Sequence, residues 1–445
     1  MVPKPPQRLK ITGGKKLTKG QISIAGSSNQ VTKAIIAALV TDEPVLIKGA
    51  PDVDERKIVE NLFRYLGGSV TVLDTDVIEV CAKDVDKWAI PEDLCRKNRI
   101  AVLCAGPLLH RFGKVSFFGA LGGDKIGKRP VNFHVDGLAQ MGAHVEVVGN
   151  QYHLSVDDRG LHGAHIKMPF PSVMTTESLL ISASRARGRT IIENSAIEPE
   201  IIELCKMLQK MGADITQTPN RTFIIEGVPK LKGCEMRCMF DRNQAVSFAA
   251  AALATGGDVL LEGVDHGPVY GFLNFIQRMG AEFTVNSRGI YVKAPSGRLR
   301  GTHIEVEVHP GFMTDWQQAY MVLLTQAEGI SILHETVFEE RLGYTSFLNE
   351  MGAKISVTSK CLGESTCRFR NTNYIHSAII QGPTELHGRD FALPTDIRAG
   401  KCLVIAGLVA KGTTHLSNFH EVTRKYDNLV PKLQAMGGEI EIVAG

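Results

Sequence analysis

One phrase recurs six times along this chain: the end of an apolar helical pattern, then Met/Leu-Gly-Gly/Ala, then residues that alternate apolar and polar. The copies are YLGGSVTV (65–72), QMGAHVEVV (140–148), KMGADITQ (210–217), RMGAEFTV (278–285), EMGAKISV (350–357) and AMGGEIEIV (435–443), spaced at intervals of 68 to 85 residues. A glycine directly after a helical pattern marks a left-handed C-terminal cap, a backbone region that glycine enters without a Cβ penalty. The period-two alternation that follows is that of a half-buried strand. A second phrase falls between the copies: an alanine-rich helix, a glycine, then a short strand. Its instances are ALVTDEPVLIKGA, AGPLLHRFGKVSFFG, SASRARGRTIIENSA, ALATGGDVLLEGV, LLTQAEGISILHETV and GLVAKGTTHLSNF, the first with Asp-Glu-Pro in place of the glycine. Each unit therefore reads helix, strand, helix, strand, strand.

Units of about seventy residues are too large to stack as a solenoid, so they must group into domains. A chain of 445 residues exceeds one ordinary core, and three units plus three is the natural division. Two helical patterns, AVSFAAAALATG and AGKCLVIAGLVA, are apolar nearly all round and belong in a domain interior. No linker is rich in Pro, Gly or Ser, so the halves are expected to meet at a hinge, with crossings near Ile24–Ala25 and Met239–Asp241. The expected domains are 25–239 and 240–445, with residues 1–24, including the strand LKITGG, completing the second.

The net charge of +3, with 44% hydrophobic and 22% charged residues, is that of a soluble globular protein and not of a nucleic-acid binder. No apolar run is long enough for a membrane span, and MVPKPPQRLK has no apolar core of a secretory signal. The nine cysteines are scattered, mostly in apolar contexts such as Cys104, Cys205 and Cys402, which suits reduced thiols and a cytoplasmic setting. Cys234 with Cys238, and Cys361 with Cys367, are the close pairs. Neither has histidines at zinc-finger spacing, so no metal site is expected.

Familiar catalytic patterns are absent: no G-x-x-x-x-G-K-[ST], no G-x-S-x-G and no H-E-x-x-H. What stands out is a set of arginines in turns between repeat elements: Arg99, Arg129, Arg341, Arg398 and Arg424. Arginine suits bidentate binding of carboxylate or phosphate; taken singly, each also reads as a solvated surface residue. Asp315 in HPGFMTDWQQAY and Asp396 in PTDIRAG read either as helix N-caps or as carboxylates set near a substrate hydroxyl. The loop GGDKIGKRPVNFH (122–134) raises the same question for Asp124, which is either solvated or chemical.

AGPLLHRFG, GGDKIGKRPVNFH, IIENSAIEPEII, HPGFMTDWQQ, HETVFEERLGY and TDIRAG, in this order and spacing, resemble the enolpyruvyl transferase family over essentially the whole chain. The resemblance implies an α/β fold of two inverted, barrel-like domains, six repeated units arranged three per domain around a cleft. It implies transfer of the enolpyruvyl group of phosphoenolpyruvate to a hydroxyl of UDP-N-acetylglucosamine with release of phosphate, in the cytoplasm, on the route to peptidoglycan and without a cofactor. Asp315 matches the presumed general base, and Asp124 the position where many members carry a reactive cysteine as general acid and others an aspartate. Arg398 joins these as a reaction-centre residue. Asn29, Arg99, Arg129, Arg341 and Arg424 match residues around the substrate and its phosphate, Asp396 the acid of the D-x-R-A turn, and His134 a loop histidine. Pro130 and Val131 lie in the segment matched to uracil and ribose, with Asn132 where an aspartate is usual. Ser172 and Val173 match the sugar segment, where Met174 replaces a glycine. Ser28 stands where the family has lysine; Lys33, Lys125, Lys128 and Lys425 are the candidates to replace that charge. These departures leave open a paralogue that uses another nucleotide or sugar acceptor, or an elimination without phosphoenolpyruvate.

Overall fold

The structure, a computed structural model, describes residues 7–18, 20–124, 126–127, 129, 131–364 and 367–444. Two compact units emerge: Ala25–Gly123 with Arg129–Met239, and Met1–Ile24 with Asp124–Lys128 and Phe240–Gly445. Residues 124–128, expected inside an uninterrupted 25–239 domain, group with the second unit. The cause is local: Asp124 is paired with Arg424 at 3.1 Å, and Gly127, at φ +134°, runs so close to the Glu339 side chain that a Cβ there would collide with it.

Every repeat glycine predicted to end a helix has the left-handed backbone that the pattern demands. Gly67, Gly142, Gly212, Gly280, Gly352 and Gly437 have φ between +93° and +111°. The order within a repeat is also as read. In the first, helix Ser28–Ala37 is followed by strand Val45–Lys48, helix Asp54–Tyr65, and strands Ser69–Asp74 and Val77–Cys81. The described residues form six small sheets, three in each unit, five of them mixed and one wholly antiparallel. In the first repeat, Val45–Lys48 and Ser69–Asp74 both pair antiparallel with Val77–Cys81, and Glu235–Arg237 adds a parallel edge strand.

The last sheet is closed from the other end of the chain. Gln7–Thr12 lies between Thr413–Ser417 and Glu439–Ala444 and is antiparallel to both. Gly20–Ser23 then joins Asp258–Glu262 as a parallel edge strand. Helices Arg242–Ala254 and Ile397–Val409, together with Gln317–Gln326, pack on one another in the interior of the second unit. All thirteen residues of Arg242–Ala254 are buried, so the all-round apolar pattern has its expected outcome. Among the described residues no helix is long and apolar enough to cross a membrane.

The fifth repeat departs from the others. Four repeats join their last two strands by tight turns at 75–76, 149–150, 219–221 and 287–288. The fifth inserts residues 359–376 between Ile355–Thr358 and Ser377–Gly382.

Candidate functional site

In the second unit, three loop ends that follow or precede repeat strands bring their charged side chains together. Asp315 precedes helix Gln317–Gln326 but does not cap it; its two carboxylate oxygens are taken by arginines instead. Oδ1 accepts from Arg341 Nη2 at 2.8 Å, and Oδ2 accepts from Arg398 Nε at 3.2 Å and Nη2 at 3.1 Å. Arg341 and Arg398 are buried, with 1% and 5% of their side chains exposed, while Asp315 keeps 23% and so remains reachable by a ligand. Burial by itself raises the Asp315 carboxyl, but Arg398 and Arg341 outweigh it and hold the group well below the usual carboxylate range, helped by Lys425.

Asp396 is the N-cap of helix Ile397–Val409, its Oδ1 accepting from the Arg398 N–H at 2.9 Å. Capping fixes the first turn of that helix, and the first turn carries Arg398. The other Asp396 oxygen lies 3.8 Å from Arg341 Nε. Burial pushes the Asp396 carboxyl up, against the pull of Arg341. Asp124 meets Arg424 Nη2 at 3.1 Å and keeps 15% of its side chain exposed. It is paired and largely covered, not solvated.

Several members of this cluster carry no motif and escaped the sequence reading. Glu335 is fully buried and braces the turn that leads to Arg341. Its carboxylate accepts from Thr314 Oγ1 at 2.6 Å, from Gln317 Nε2, and from the Val337 and Phe338 N–H groups at 2.5 and 3.2 Å. Tyr426 accepts from Arg398 Nη1 through its hydroxyl at 2.9 Å. Its ring lies 3.8 Å from the buried Lys401 ammonium, whose pKa is driven far down by burial and by the Arg398 charge. A lysine inside the apolar AGKCLVIAG pattern was the one available signal for Lys401. Glu335 sits inside a phrase already singled out, HETVFEERLGY, and Tyr426 lies two residues after Arg424, but nothing in the sequence separates them from their neighbours.

In the first unit the 122–134 loop builds a second cluster. Asn98 starts the short helix Arg99–Cys104, its Oδ1 accepting from Ile100 N–H at 2.8 Å, and this sets the direction of Arg99. The Arg99 guanidinium donates to the Arg129 carbonyl. Burial and then the Arg129 charge lower the Arg99 pKa to about 10. Gly123 makes that approach possible: at φ +105° it tolerates a Cβ poorly, and a Cβ would sit 3.3 Å from Arg129 Nη1. His134, in helix Asn132–Gln140, is buried beside both arginines. Burial, Arg99 and Arg129 together push its imidazole down to about 3, so it stays neutral near neutral pH. Two guanidinium groups with a neutral imidazole make an anion-favouring cluster.

The remaining sequence candidates are placed as follows. Asn29 is half-buried in the first turn of helix Ser28–Ala37, which Ser27 caps. Ser172 caps helix Val173–Ala183, accepting from Thr175 N–H at 3.4 Å, so this residue and Val173 stand at a helix N-terminus. Val131 is part of the hydrophobic core, which leaves only its backbone for a ligand. Pro130, Lys125 and Lys128 lie outside the described residues. Of the other two candidate lysines, Lys33 is buried 4.0 Å from Glu177, and the Lys425 charge acts on Asp315.

Neither arginine cluster offers a metal-ligand set. Among the described residues the one such group is His334, Cys361, Cys367 and His376 in the fifth repeat. Neither cysteine pair has histidines at zinc-finger spacing in the sequence, but the fold sets two histidines beside Cys361 and Cys367. The fold supplies His334 from a neighbouring strand and His376 from the far end of the loop, where no linear spacing rule looks.

The family model for EPSP synthase (3-phosphoshikimate 1-carboxyvinyltransferase) matches residues 11–433. The chain is 40% identical over 439 residues to the UDP-N-acetylglucosamine 1-carboxyvinyltransferase of Protochlamydia amoebophila (strain UWE25), covering 98% of this chain and 94% of that relative. It is 37% identical to the protein of the same activity from Gluconobacter oxydans (strain 621H), covering 98% and 99%. Among solved structures it is similar to the enolpyruvyl transferase NikO from Streptomyces tendae, with a TM-score of 0.84 at 21% identity, covering 99% of this chain and 100% of that one. EPSP synthase from Acinetobacter baumannii gives a TM-score of 0.77 at 19% identity, covering 98% and 100%. At these identities the two structures speak to the fold.

Proposed function

The chain belongs to the EPSP synthase family of enolpyruvyl transferases, and from that premise we propose how its residues divide the work. The enzyme moves the enolpyruvyl group of phosphoenolpyruvate onto a hydroxyl of UDP-N-acetylglucosamine and releases phosphate. The observation that carries this acceptor is the near full-length identity of 40% and 37% to two relatives that share that one activity. We place the reaction in the cytoplasm, where nine unbridged cysteines stay reduced.

Asp315 takes the proton of the acceptor hydroxyl as its oxygen bonds to the enol carbon of phosphoenolpyruvate. Asp124 gives a proton to the methylene carbon in the same addition. Loss of phosphate from the adduct, with a proton leaving that methyl carbon, restores the double bond on the sugar. Paired as it is, Asp315 is a feeble base. A substrate phosphate or carboxylate that draws Arg398 or Arg341 towards itself frees the carboxylate and raises its basicity just when the acceptor is bound. Arg424 and Arg398 suit the phosphoenolpyruvate anion, and Arg99 and Arg129 suit phosphate groups. Val131 offers its backbone to the nucleotide, Ser172 and Val173 offer a helix N-terminus, and Asn29 holds the sugar.

Phosphate release from phosphoenolpyruvate with UDP-N-acetylglucosamine tests the reading. Asp315→Asn should lower kcat by about 10²- to 10⁴-fold. Release that does not depend on the sugar nucleotide, or an unchanged Asp315→Asn enzyme, contradicts it. A second reading, an altered acceptor or an elimination without phosphoenolpyruvate, is favoured by one observation: Ser28 is buried at 2% exposure where the family has lysine. If phosphoenolpyruvate is used, Ser28→Lys should tighten its binding by about 1.5–3 kcal/mol, the worth of a charge-assisted hydrogen bond. Calorimetry on protein preloaded with UDP-N-acetylglucosamine reads this; wild-type protein that binds no phosphoenolpyruvate would establish the second reading.

A further inference from the structure

We infer that His334, Cys361, Cys367 and His376 form a structural zinc site that ties the 359–376 insertion to the strand beside it. Their ligand atoms all lie within 4.8 Å of one another, and three of the four residues are buried. Tetrahedral zinc bonds of about 2.0–2.3 Å place ligand atoms about 3.3–3.8 Å apart. A contraction of at most about 1.5 Å therefore closes the set around an ion. Two sulfurs and two imidazole nitrogens are a borderline-soft tetrahedral donor set that favours zinc over calcium or magnesium. Two thiolates also neutralise a dication, which lets the centre be buried without a net charge.

The surroundings hold both imidazoles in the ligating tautomer. Ser377 Oγ donates to the Lys360 carbonyl at 2.7 Å, so its oxygen accepts the Nδ1–H of His334 at 2.8 Å. The Tyr374 carbonyl accepts the Nδ1–H of His376 at 2.7 Å. Both Nε2 lone pairs are left for the cluster. His376 Nε2 lies 3.3 Å from Cys361 Sγ, and His334 Nε2 is buried with no hydrogen-bond partner among the described residues. The Phe369 N–H points at Cys367 Sγ from 3.3 Å, which favours a thiolate there. Outer hydrogen bonds that orient ligands in this way accompany metal-binding histidines. Gly363 belongs to the same construction: a Cβ there would strike the His334 ring and come within 2.7 Å of the Glu305 carboxyl carbon.

A loop of this length, with no helix or strand among its described residues, is expensive to order, and metal binding supplies free energy that an apolar core this small does not. The ordering reaches further than the loop. Arg368, next to Cys367, donates to the Val337 carbonyl and lies 3.6 Å from Glu339. His334 is followed by Glu335, the residue that braces the turn before Arg341. Zinc at this site therefore stiffens the turn that carries Arg341.

The test uses the full-length chain, free of any histidine tag. Metal analysis of the purified protein should give one zinc per chain. Cobalt(II) added to chelator-stripped protein should produce thiolate-to-cobalt charge transfer and intense tetrahedral d–d absorption. Cys361→Ser and Cys367→Ser should each lose the metal and these bands, whereas Cys81→Ser, outside the cluster, keeps both. Hydrogen exchange in 335–341 and 359–364 should quicken when the metal is removed. A stripped protein that takes up no cobalt overturns the proposal, whatever the variants do. So does an intact mass two daltons low with Cys361 and Cys367 in a disulfide, or metal retained by both serine variants.

Discussion

Asp124 meets Arg424 at 3.1 Å with most of its side chain covered, a geometry that excludes the solvated reading left open in the sequence. A solvated loop aspartate gains little from one arginine; a covered one is positioned. If Asp124 is the proton donor to the methylene carbon, Asp124→Asn removes the transferable proton with almost no change in shape. It should cost about 10²- to 10⁴-fold in kcat with an unchanged melting curve. Asp124→Cys restores a titratable group and should recover much of the rate. The same exchange should create sensitivity to epoxides that alkylate thiolates, because the native carboxylate is not the required soft nucleophile. A stoichiometric epoxide adduct in the 122–134 peptide of the unmodified protein would refute this assignment. At this scale the sequence was informative about which residues are charged and in which loops, and silent about their pairing. Asp315 and Asp396 looked equivalent, yet one caps a helix and the other is held by two arginines. Glu335 and Tyr426 act through side-chain contacts with residues 21 and 28 positions away, which no local pattern encodes.

Helices Ser28–Ala37 and Val173–Ala183 bury Lys33 and Glu177 at the heart of the first unit. Burial pushes the Glu177 carboxyl up to about 7, opposed by Lys33 and reinforced by Glu200 and Glu198. The folded value lies above the unfolded one, about 4.3, so the folded state holds this proton longer. Stability from this group is fully present below about pH 4.3 and is lost as pH rises through about 7. Glu177→Gln should abolish that falling segment of the stability curve. Urea midpoints measured from pH 4 to 8 read this; parallel curves for the two proteins would refute it. The repeat glycines give an independent check on the elements. Gly212 has φ +105° and open space around it, so Gly212→Ala should cost only backbone strain, about 1–2 kcal/mol. At Gly67, with φ +103°, a Cβ also comes 2.6 Å from the Asp84 carbonyl, so Gly67→Ala should cost clearly more. Elements were the most legible level because each repeat restates the same period and the same cap. The zinc cluster shows the limit: its ligands come from a strand and from both ends of a loop, joined only by the fold.

For the molecule as a whole, repetition made the count of units readable, and chain length made their grouping readable. The excursion of residues 124–128 was not, because it depends on Arg424 and Glu339, which are hundreds of residues away in the chain. The ends of the chain carry the last consequence. Strand Gln7–Thr12 is the inner strand of its sheet, and Gly20–Ser23 borders another, so residues 7–23 serve two of the three sheets in the second unit. Leu9, Ile11, Leu17 and Ile22 are each 2% exposed or less. At about 1.5–3 kcal/mol apiece their burial is comparable to the whole stability of a domain, about 5–15 kcal/mol. Residues 240–444 expressed alone should therefore fail to fold cooperatively. The register offers a remedy: Gln7 lies opposite Ala444 on antiparallel strands, the geometry of a hairpin awaiting its turn. A rearranged chain that runs 240–444, then Asn-Gly, then 7–24 should restore the sheet and unfold in a single urea transition. Far- and near-ultraviolet circular dichroism should report that transition together. If the 240–444 fragment unfolds with the same midpoint and sharpness as the rearranged chain, the N-terminal strands are accessories and not part of that unit's core.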